Sequence, residues 1–426
     1  MSVGLTSGLT PVRHVLRNGV VVTVQQTAFS PAVTISLVVR AGSLYEPEQL
    51  PGLAYLCARV IDRGTEDRSA EAIAELLDDH GVTMKVSTNR HAMMFSCTCL
   101  SEDFPDMIAL VADVACAPVF PEDEVAKRRD EMLSVIRQDL DNPGIRAGET
   151  LQALLYGEAH PYGRPAKGTI ESAQRLTRRD LQEFHGQRFS PESTSLVVVG
   201  DVDPGEAFER IDRAFGGWDA STVGDRKVPP VAIDVVRRRV DLPMPGKPQS
   251  DIAYGFVTIN RLHPAYYAYW VMNNILGQFG LGGRLAENIR ERQGMAYYAF
   301  SAFDPSLGPG PLVIRAGVDP NNVERAIGAI DVEVRALGQD GPTDRELQET
   351  RQFLIGSIPR MLETNQSIAT FLQTSEFFGL GLDYDRQLPH LLEGVTLADV
   401  AEAASAVLHP ERAAIAVAGP SVTSAG

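Results

Sequence analysis

Eight histidines are where metal or acid–base chemistry would start in this sequence, and their spacing excludes most of it. They are His14, His80, His91, His160, His185, His263, His390 and His409. No two stand four apart, so no helix can present a pair of imidazoles in H-x-x-E-H or H-E-x-x-H order. The four cysteines, all between Cys57 and Cys116, offer no better ligand set. Cys97 and Cys99, two apart in a predicted strand, would share one face, but that is not a zinc-ligand spacing. Four thiols in a chain of this length do not make a disulfide framework, so they read as core thiols. No G-x-S-x-G elbow occurs, and no Cys–His pair is recognisable from spacing. The run Gly277-Gln278-Phe279-Gly280-Leu281-Gly282-Gly283 precedes a helix, as a phosphate cradle would. It lacks the strand and lysine of a Walker loop.

Composition narrows the classes further. The 426 residues are 44% hydrophobic and 22% charged, ordinary values for a folded protein too long for one domain. A formal charge of −16 argues against a nucleic-acid partner and is compatible with basic peptides as ligands. No apolar run is long enough to span a membrane, and the polar Met1–Thr10 segment does not read as a signal peptide. With few cysteines, these features lead to the expectation of a cytoplasmic protein.

The elements that would position any site come in two copies. Thr177, Asp180, Pro191, Glu192 and Gly200 recur as Thr396, Asp399, Pro410, Glu411 and Gly419, at one constant offset. In each copy the threonine with an aspartate three later reads as a helix N-cap with a carboxylate in the first turn. Each then runs into a β-branched stretch, Leu196–Val199 or Ile415–Val417, that reads as a buried strand. The expected organisation is an N-terminal domain at 1–218, a Pro-containing linker at 219–234 and a homologous C-terminal domain at 235–426. Strands and long amphipathic helices mix without regular alternation, so the predicted class is α+β, with mixed sheet plus helices in each domain.

Motif order then points to a family. Leu16-Arg17-Asn18-Gly19, Gly52–Thr65, Asp141-Asn142-Pro143, His160-Pro161-Tyr162-Gly163-Arg164-Pro165 with Gly168-Thr169, and Arg284–Tyr297 follow one another over nearly the whole chain. This succession resembles the family of pitrilysin, insulin-degrading enzyme and mitochondrial processing peptidase. Active members carry H-x-x-E-H on a helix and a further glutamate ligand downstream, and use them to hold zinc and activate water. Here the matching segment puts Tyr55 and Arg59 at the two histidine positions and Ala58 at the general-base position. The downstream glutamate, counted back from Asp141-Asn142-Pro143, falls on Val135. The resemblance therefore implies a degenerate site with no metal on this chain.

The second half keeps what the first lacks. Active members carry an Arg and a Tyr seven residues apart, and Arg290 and Tyr297 match in type and spacing. Arg284–Arg292 reads as a helix, Gly294 as its stop and Met295–Phe300 as a strand, so the pair would flank one tight corner. Strand alternation puts Tyr298 on the other face, which singles out Tyr297. Arg offers five N–H donors and Tyr one O–H, suited to a peptide carbonyl and the oxyanion it becomes. Gly280, Gly282 and Gly283 resemble part of the glycine-rich loop of the non-catalytic subunit of mitochondrial processing peptidase, a substrate-handling element; a loop that merely lets the chain turn is the other reading. The resemblance implies a substrate-binding subunit of a heterodimeric zinc peptidase, with peptide substrates and a homologous H-x-x-E-H partner that supplies the zinc. The alternative is an inert scaffold or peptide-binding protein of the same fold, like the core proteins of respiratory complexes.

Overall fold

Thr177 and Thr396, equivalent positions of the two copies, start their helices in the same way. The computed structural model describes residues 8–219, 224, 226–232, 236–278 and 283–420. Thr177 Oγ1 accepts from the Asp180 N–H at 3.3 Å, and Asp180 Oδ2 accepts from the Thr177 N–H at 2.8 Å. Thr396 and Asp399 repeat the arrangement at 3.2 and 2.8 Å. Each reciprocal pair satisfies two backbone donors that a helix start leaves open. The helices so begun, Arg178–Arg188 and Leu397–Val407, both lead into the last strand of their copy.

The first copy contributes β1 (Val12–Val15), β2 (Val21–Gln26), β3 (Ala32–Val39), β4 (Thr83–Thr88), β5 (Met93–Leu100) and β6 (Thr194–Gly200). They form a sheet of order β1-β2-β6-β3-β5-β4, with β2 and β6 parallel and every other pair antiparallel. The second copy contributes β7 (Arg238–Pro243), β8 (Ser250–Val257), β9 (Ala296–Phe303), β10 (Pro311–Val318) and β11 (Ala414–Gly419). Their order is β7-β11-β8-β10-β9, again with a single parallel pair, β7 and β11. Apart from β1 the two sheets have one topology, so the repeat seen in five residues is a repeat of the whole α+β layer. In both, the last strand returns to an interior position. That is why β6 and β11 are almost wholly buried, near-continuous apolar runs.

Packing does not follow the two copies end to end. Within the described residues, one compact unit consists of Met1–Ile136, Pro165–Lys227 and Ser357–Gln387. The other consists of Arg137–Arg164, Val228–Gly356 and Leu388–Gly426. In the first unit the helix Asn365–Phe378, from the second copy, lays Ile368, Ala369 and Leu372 against Val197 and Val199 of β6. Its Asn365 Nδ2 donates to the Ala32 carbonyl at 2.9 Å. In the second unit the helix Pro143–Tyr156, from the first copy, sets Ala147, Leu151 and Leu155 on Ala253, Ala414, Ala416 and Ala418. The expected division at 1–218 and 235–426 follows the sequence repeat; the compact units are cut differently, each taking a helix from the other copy, and part of the expected 219–234 linker lies outside the described residues. No helix among the described residues is long and apolar enough to cross a membrane.

If the Asn365–Phe378 helix is part of the first unit's core, Leu372→Ala should destabilise the chain by about 2–5 kcal/mol, as for other buried leucines. Leu372 is only 3% exposed. Urea unfolding followed by circular dichroism measures this; a loss below about 0.5 kcal/mol, the range of surface substitutions, would remove the helix from that core.

Candidate functional site

The corner that carries Arg290 and Tyr297 is built in the second unit by a stripe of buried side chains. Leu285, Ala286 and Ile289 are buried and hold the helical segment against its own unit. They leave Arg290, Glu291 and Arg292 facing water. The segment Ala286–Arg292 is wound as a π-helix, with the Gln293 N–H donating to the Asn288 carbonyl at 3.1 Å. One wide turn of this kind inside a helical stretch is uncommon and recurs at functional sites. It ends at Gly294, whose φ of 60° is the left-handed conformation that a glycine adopts without strain. The Gly294 N–H donates to the Arg290 carbonyl and the Met295 N–H to the Ile289 carbonyl, each at 3.0 Å. After Met295 the chain enters β9.

The neighbouring arginines are engaged in ion pairs. Arg284 grips Glu346 at 2.6 and 2.9 Å and also donates to the Gly341 carbonyl at 3.1 Å. Arg292 bonds Glu287. Arg290 has a 3.6 Å contact with adjacent Glu291, too long for a hydrogen bond, and its side chain is half exposed. Its donors therefore remain available to a ligand at little cost.

Tyr297 and Tyr298 have opposite surroundings. Tyr297 is 71% exposed. Tyr298 is half-buried; its hydroxyl donates to Asp251 of β8, which is buried, and its ring lies 5.8 Å from that of Phe300. Burial and then the Asp251 carboxylate push the Tyr298 phenol well above its ordinary pKa, so it stays a protonated donor. The pairing of β9 with β10 shifts at this point. Tyr298 faces Gly317 and Ala296 faces Val318, which leaves Tyr297 opposite no residue. This is a β-bulge, a device that re-aims a side chain and is common beside active sites.

In the first unit, the segment matching the zinc helix is Leu53–Val60. The buried Glu46 carboxylate anchors its start by accepting from the Gly52 and Ala54 N–H groups at 3.1 and 2.8 Å. Leu56, Cys57 and Val60 face the core, and Ala58 is buried beside them. Tyr55 and Val135 are half-buried, and Arg59 is exposed. Arg59 Nη2 lies 3.3 Å from Glu131 Oε2, one helical turn before Val135 on the helix Glu122–Leu140. Arg128 Nη1 holds the same carboxylate at 2.8 and 2.9 Å and, with Arg59, keeps it below the usual carboxylate range. A guanidinium within 4 Å of a divalent ion would repel it by roughly 4 kcal/mol per unit of ionic charge in a surface-like dielectric. Among the described residues no three His, Cys, Asp or Glu side chains come together as a metal set. These residues do not fit zinc.

The remaining candidates separate clearly. Gly280 and Gly282 lie outside the described residues, and Gly283 is buried against Gly277. The aromatic run Tyr266–Trp270, in the helix Tyr266–Asn273, offers no further site: its Tyr266 and Tyr269 rings pack 5.9 Å from Phe303. Cys57, Cys97 and Cys99 are buried and Cys116 is partly buried. Burial pushes the thiols of Cys97, Cys99 and Cys116 up to about 12, which makes them poor nucleophiles. Sequence reasoning missed Glu131 and Asp251. The first was findable as the acidic residue four before Val135 on one helix face. The second was findable as an aspartate in an otherwise apolar strand.

Comparison with known proteins bears on the same segments. The model of the insulinase family, peptidase family M16, matches residues 21–159, and that of the peptidase M16 inactive domain matches residues 175–354. An uncharacterized zinc protease of Mycobacterium leprae is 28% identical over 421 residues, covering 96% of this chain and 91% of that protein. A Mycobacterium tuberculosis protein of the same description is 29% identical over 429 residues, with 97% and 94% covered. The peptidase M16 inactive domain from Pseudomonas fluorescens superposes with a TM-score of 0.90 at 24% identity, covering 97% and 98% of the two chains. A protease from Helicobacter pylori gives 0.88 at 18% identity, covering 97% and 100%. At those identities the two structures share the fold.

The contrast between the two tyrosines has a measurable consequence. Tyr297→Phe removes an exposed hydroxyl and should leave unfolding in urea within about 0.5 kcal/mol of wild type. Tyr298→Phe strips a donor from buried Asp251 and should cost about 1–3 kcal/mol. Equal effects would contradict the assignment of one tyrosine to the surface and the other to the sheet.

Proposed function

The chain belongs to the insulinase family, peptidase family M16, and from that membership we propose that it is the non-catalytic, substrate-binding subunit of a heterodimeric zinc metallopeptidase. The observation that carries this reading is the opposite condition of the two copies. The first has Tyr55, Ala58, Arg59 and Val135 where metal ligands and base would stand, while the second exposes Arg290 and Tyr297 on a π-turn and a bulge. A scaffold gains nothing from an exposed arginine and an exposed tyrosine held out at one corner.

In this reading a homologous partner with an intact H-x-x-E-H helix supplies the zinc, its ligands and the base. Held on that partner, the metal would supply Lewis-acid activation of the scissile carbonyl and of water. This chain donates hydrogen bonds. Arg290 grips a peptide carbonyl through its planar fork, and the Tyr297 hydroxyl donates to the oxygen on which negative charge grows. The substrates are peptides, and the acidic charge of the chain favours basic ones. A cytoplasmic site of action is part of the proposal.

The pair purified from native cells tests it with a quenched fluorogenic peptide. Arg290→Ala or Tyr297→Phe should each lower kcat by about 10²–10³-fold, as loss of one oxyanion donor does elsewhere. Assembly, followed by sedimentation, should not change. Both variants cleaving at the wild-type rate would sink the proposal. A chelator should abolish turnover of the pair yet leave the melting temperature of this chain alone unaltered; a chelator-sensitive melting temperature would place a metal on this chain instead.

A further inference from the structure

Tyr297 sits on an edge strand, and a bulge there needs something to hold it. Among the described residues β9 pairs only with β10, and the bulged residue has no cross-strand partner. Such a position loses ladder bonds on both counts, so its side chain would sample several directions unless pinned nearby.

The pin lies one residue further on. Asp251, Gly317 and Tyr298 stand in one lateral row across β8, β10 and β9. The middle member has no side chain, and this lets the Tyr298 ring lie flat over β10 and reach Asp251 two strands away. A Cβ on Gly317 would come within 2.5 Å of the ring. Two strand spacings amount to about 9.5 Å, a span that a tyrosine and an aspartate bridge only when extended towards each other.

Asp251 is itself fixed. Gln249 Nε2 approaches its Oδ2 at 3.2 Å. The first turn of the Pro143–Tyr156 helix lies over it, since a Cβ on Gly144 would sit 3.3 Å from Asp251 Oδ1. Asn142 caps that helix by accepting from the Ile145 N–H at 3.2 Å, and Arg315 donates to the Gly144 carbonyl at 3.2 Å. The carboxylate thus has a helix N-terminus on one side, a favourable place for negative charge, and the Tyr298 hydroxyl on the other.

We infer that Tyr298, Asp251 and Gly317 are a positioning set whose task is to lock the bulge so that Tyr297 points outward in one orientation. This rests on the reading of Tyr297 as an oxyanion donor. The three residues touch no substrate. They act through Tyr297 by restricting where its hydroxyl can be.

The test is a double-mutant cycle in the purified pair, assayed for kcat and KM on the quenched peptide. Tyr298→Phe and Asp251→Asn should each lower kcat about 10-fold with KM changed less than about 2-fold, within the range that an ångström of misplacement costs. In a chain already carrying Tyr297→Phe, neither should lower kcat further, because the hydroxyl they position is gone. A wild-type kcat in Tyr298→Phe and Asp251→Asn, alongside an impaired Tyr297→Phe, would overturn the positioning role and leave the donor role standing. The same 10-fold loss persisting in the Tyr297→Phe background would overturn it as well, since that is a general defect of the sheet. A neutral Tyr297→Phe would remove the donor reading and this inference with it. A second measurement needs no partner. With 3-fluorotyrosine at position 297 of the full chain, one narrow ¹⁹F line is expected, and Tyr298→Phe should shift or broaden it. An unchanged line would overturn the inference.

Discussion

The register of β9 against β10 slips by one residue between Ala296 and Tyr298, and the presentation of the whole corner depends on that slip. Strict alternation from Ala299 and Ser301 would place Tyr297 on their face of the sheet, where both residues are almost completely buried. A tyrosine there would be drawn under the helical layer, to which Ser301 is already tied through the Asn273 carbonyl at 3.0 Å. The bulge takes Tyr297 out of that sequence of positions. Tyr298 keeps the regular register and faces Gly317, where an absent side chain is what its ring needs. The exposed tyrosine thus sits in the irregularity and the anchored one at its border.

In the first unit, the contacts that hold a helix in place are separate from the face that carries Arg59. Leu53–Val60 is held by Leu56, Cys57 and Val60 in the core and by the Glu46 carboxylate at its start. None of these faces Arg59. The ion pair between this helix and Glu122–Leu140 is the half-exposed Arg59 and Glu131, with Arg128 sharing the carboxylate. Pairs of that exposure contribute about 0–1 kcal/mol. The apolar contacts, at about 25 cal/mol for each Å² buried, outweigh it.

Much of this was legible in the residues, for identifiable reasons. The capped helices and interior strands of the two copies could be read because caps and β-branched runs are local, and the offset between copies repeated them without a gap. The helix, turn and strand around Arg290 were readable because Gly294 punctuates them. The exchange of helices between units was not, since an amphipathic helix does not state which sheet its apolar face will cover. Nothing in Pro143–Tyr156 distinguishes β8 and β11 from β3 and β6. The π-winding at Ala286–Arg292 and the bulge at Tyr297 were equally invisible. Both are one-residue departures from a regular period, and a single extra residue leaves no pattern of residue types to read.

Tyr55, Ala58 and Arg59 differ in what their positions would tolerate. Tyr55 is half-buried and Arg59 exposed, and exposed positions exchange side chains at little cost to stability. Ala58 is different: at 5% exposure it has become part of the packed interior beside Leu56 and Val60. A carboxylate returned to that position without a metal or a donor beside it would be an unpaired buried charge, which costs several kcal/mol or shifts to its neutral form. Histidines at 55 and 59 would not supply the missing partner unless zinc arrived with them, and Arg59 now serves a carboxylate on the neighbouring helix. Each substitution towards a metal site is uphill until all of them are made together. The arrangement at Arg290 and Tyr297 carries no such penalty, because both side chains already stand in water with their donors unspent.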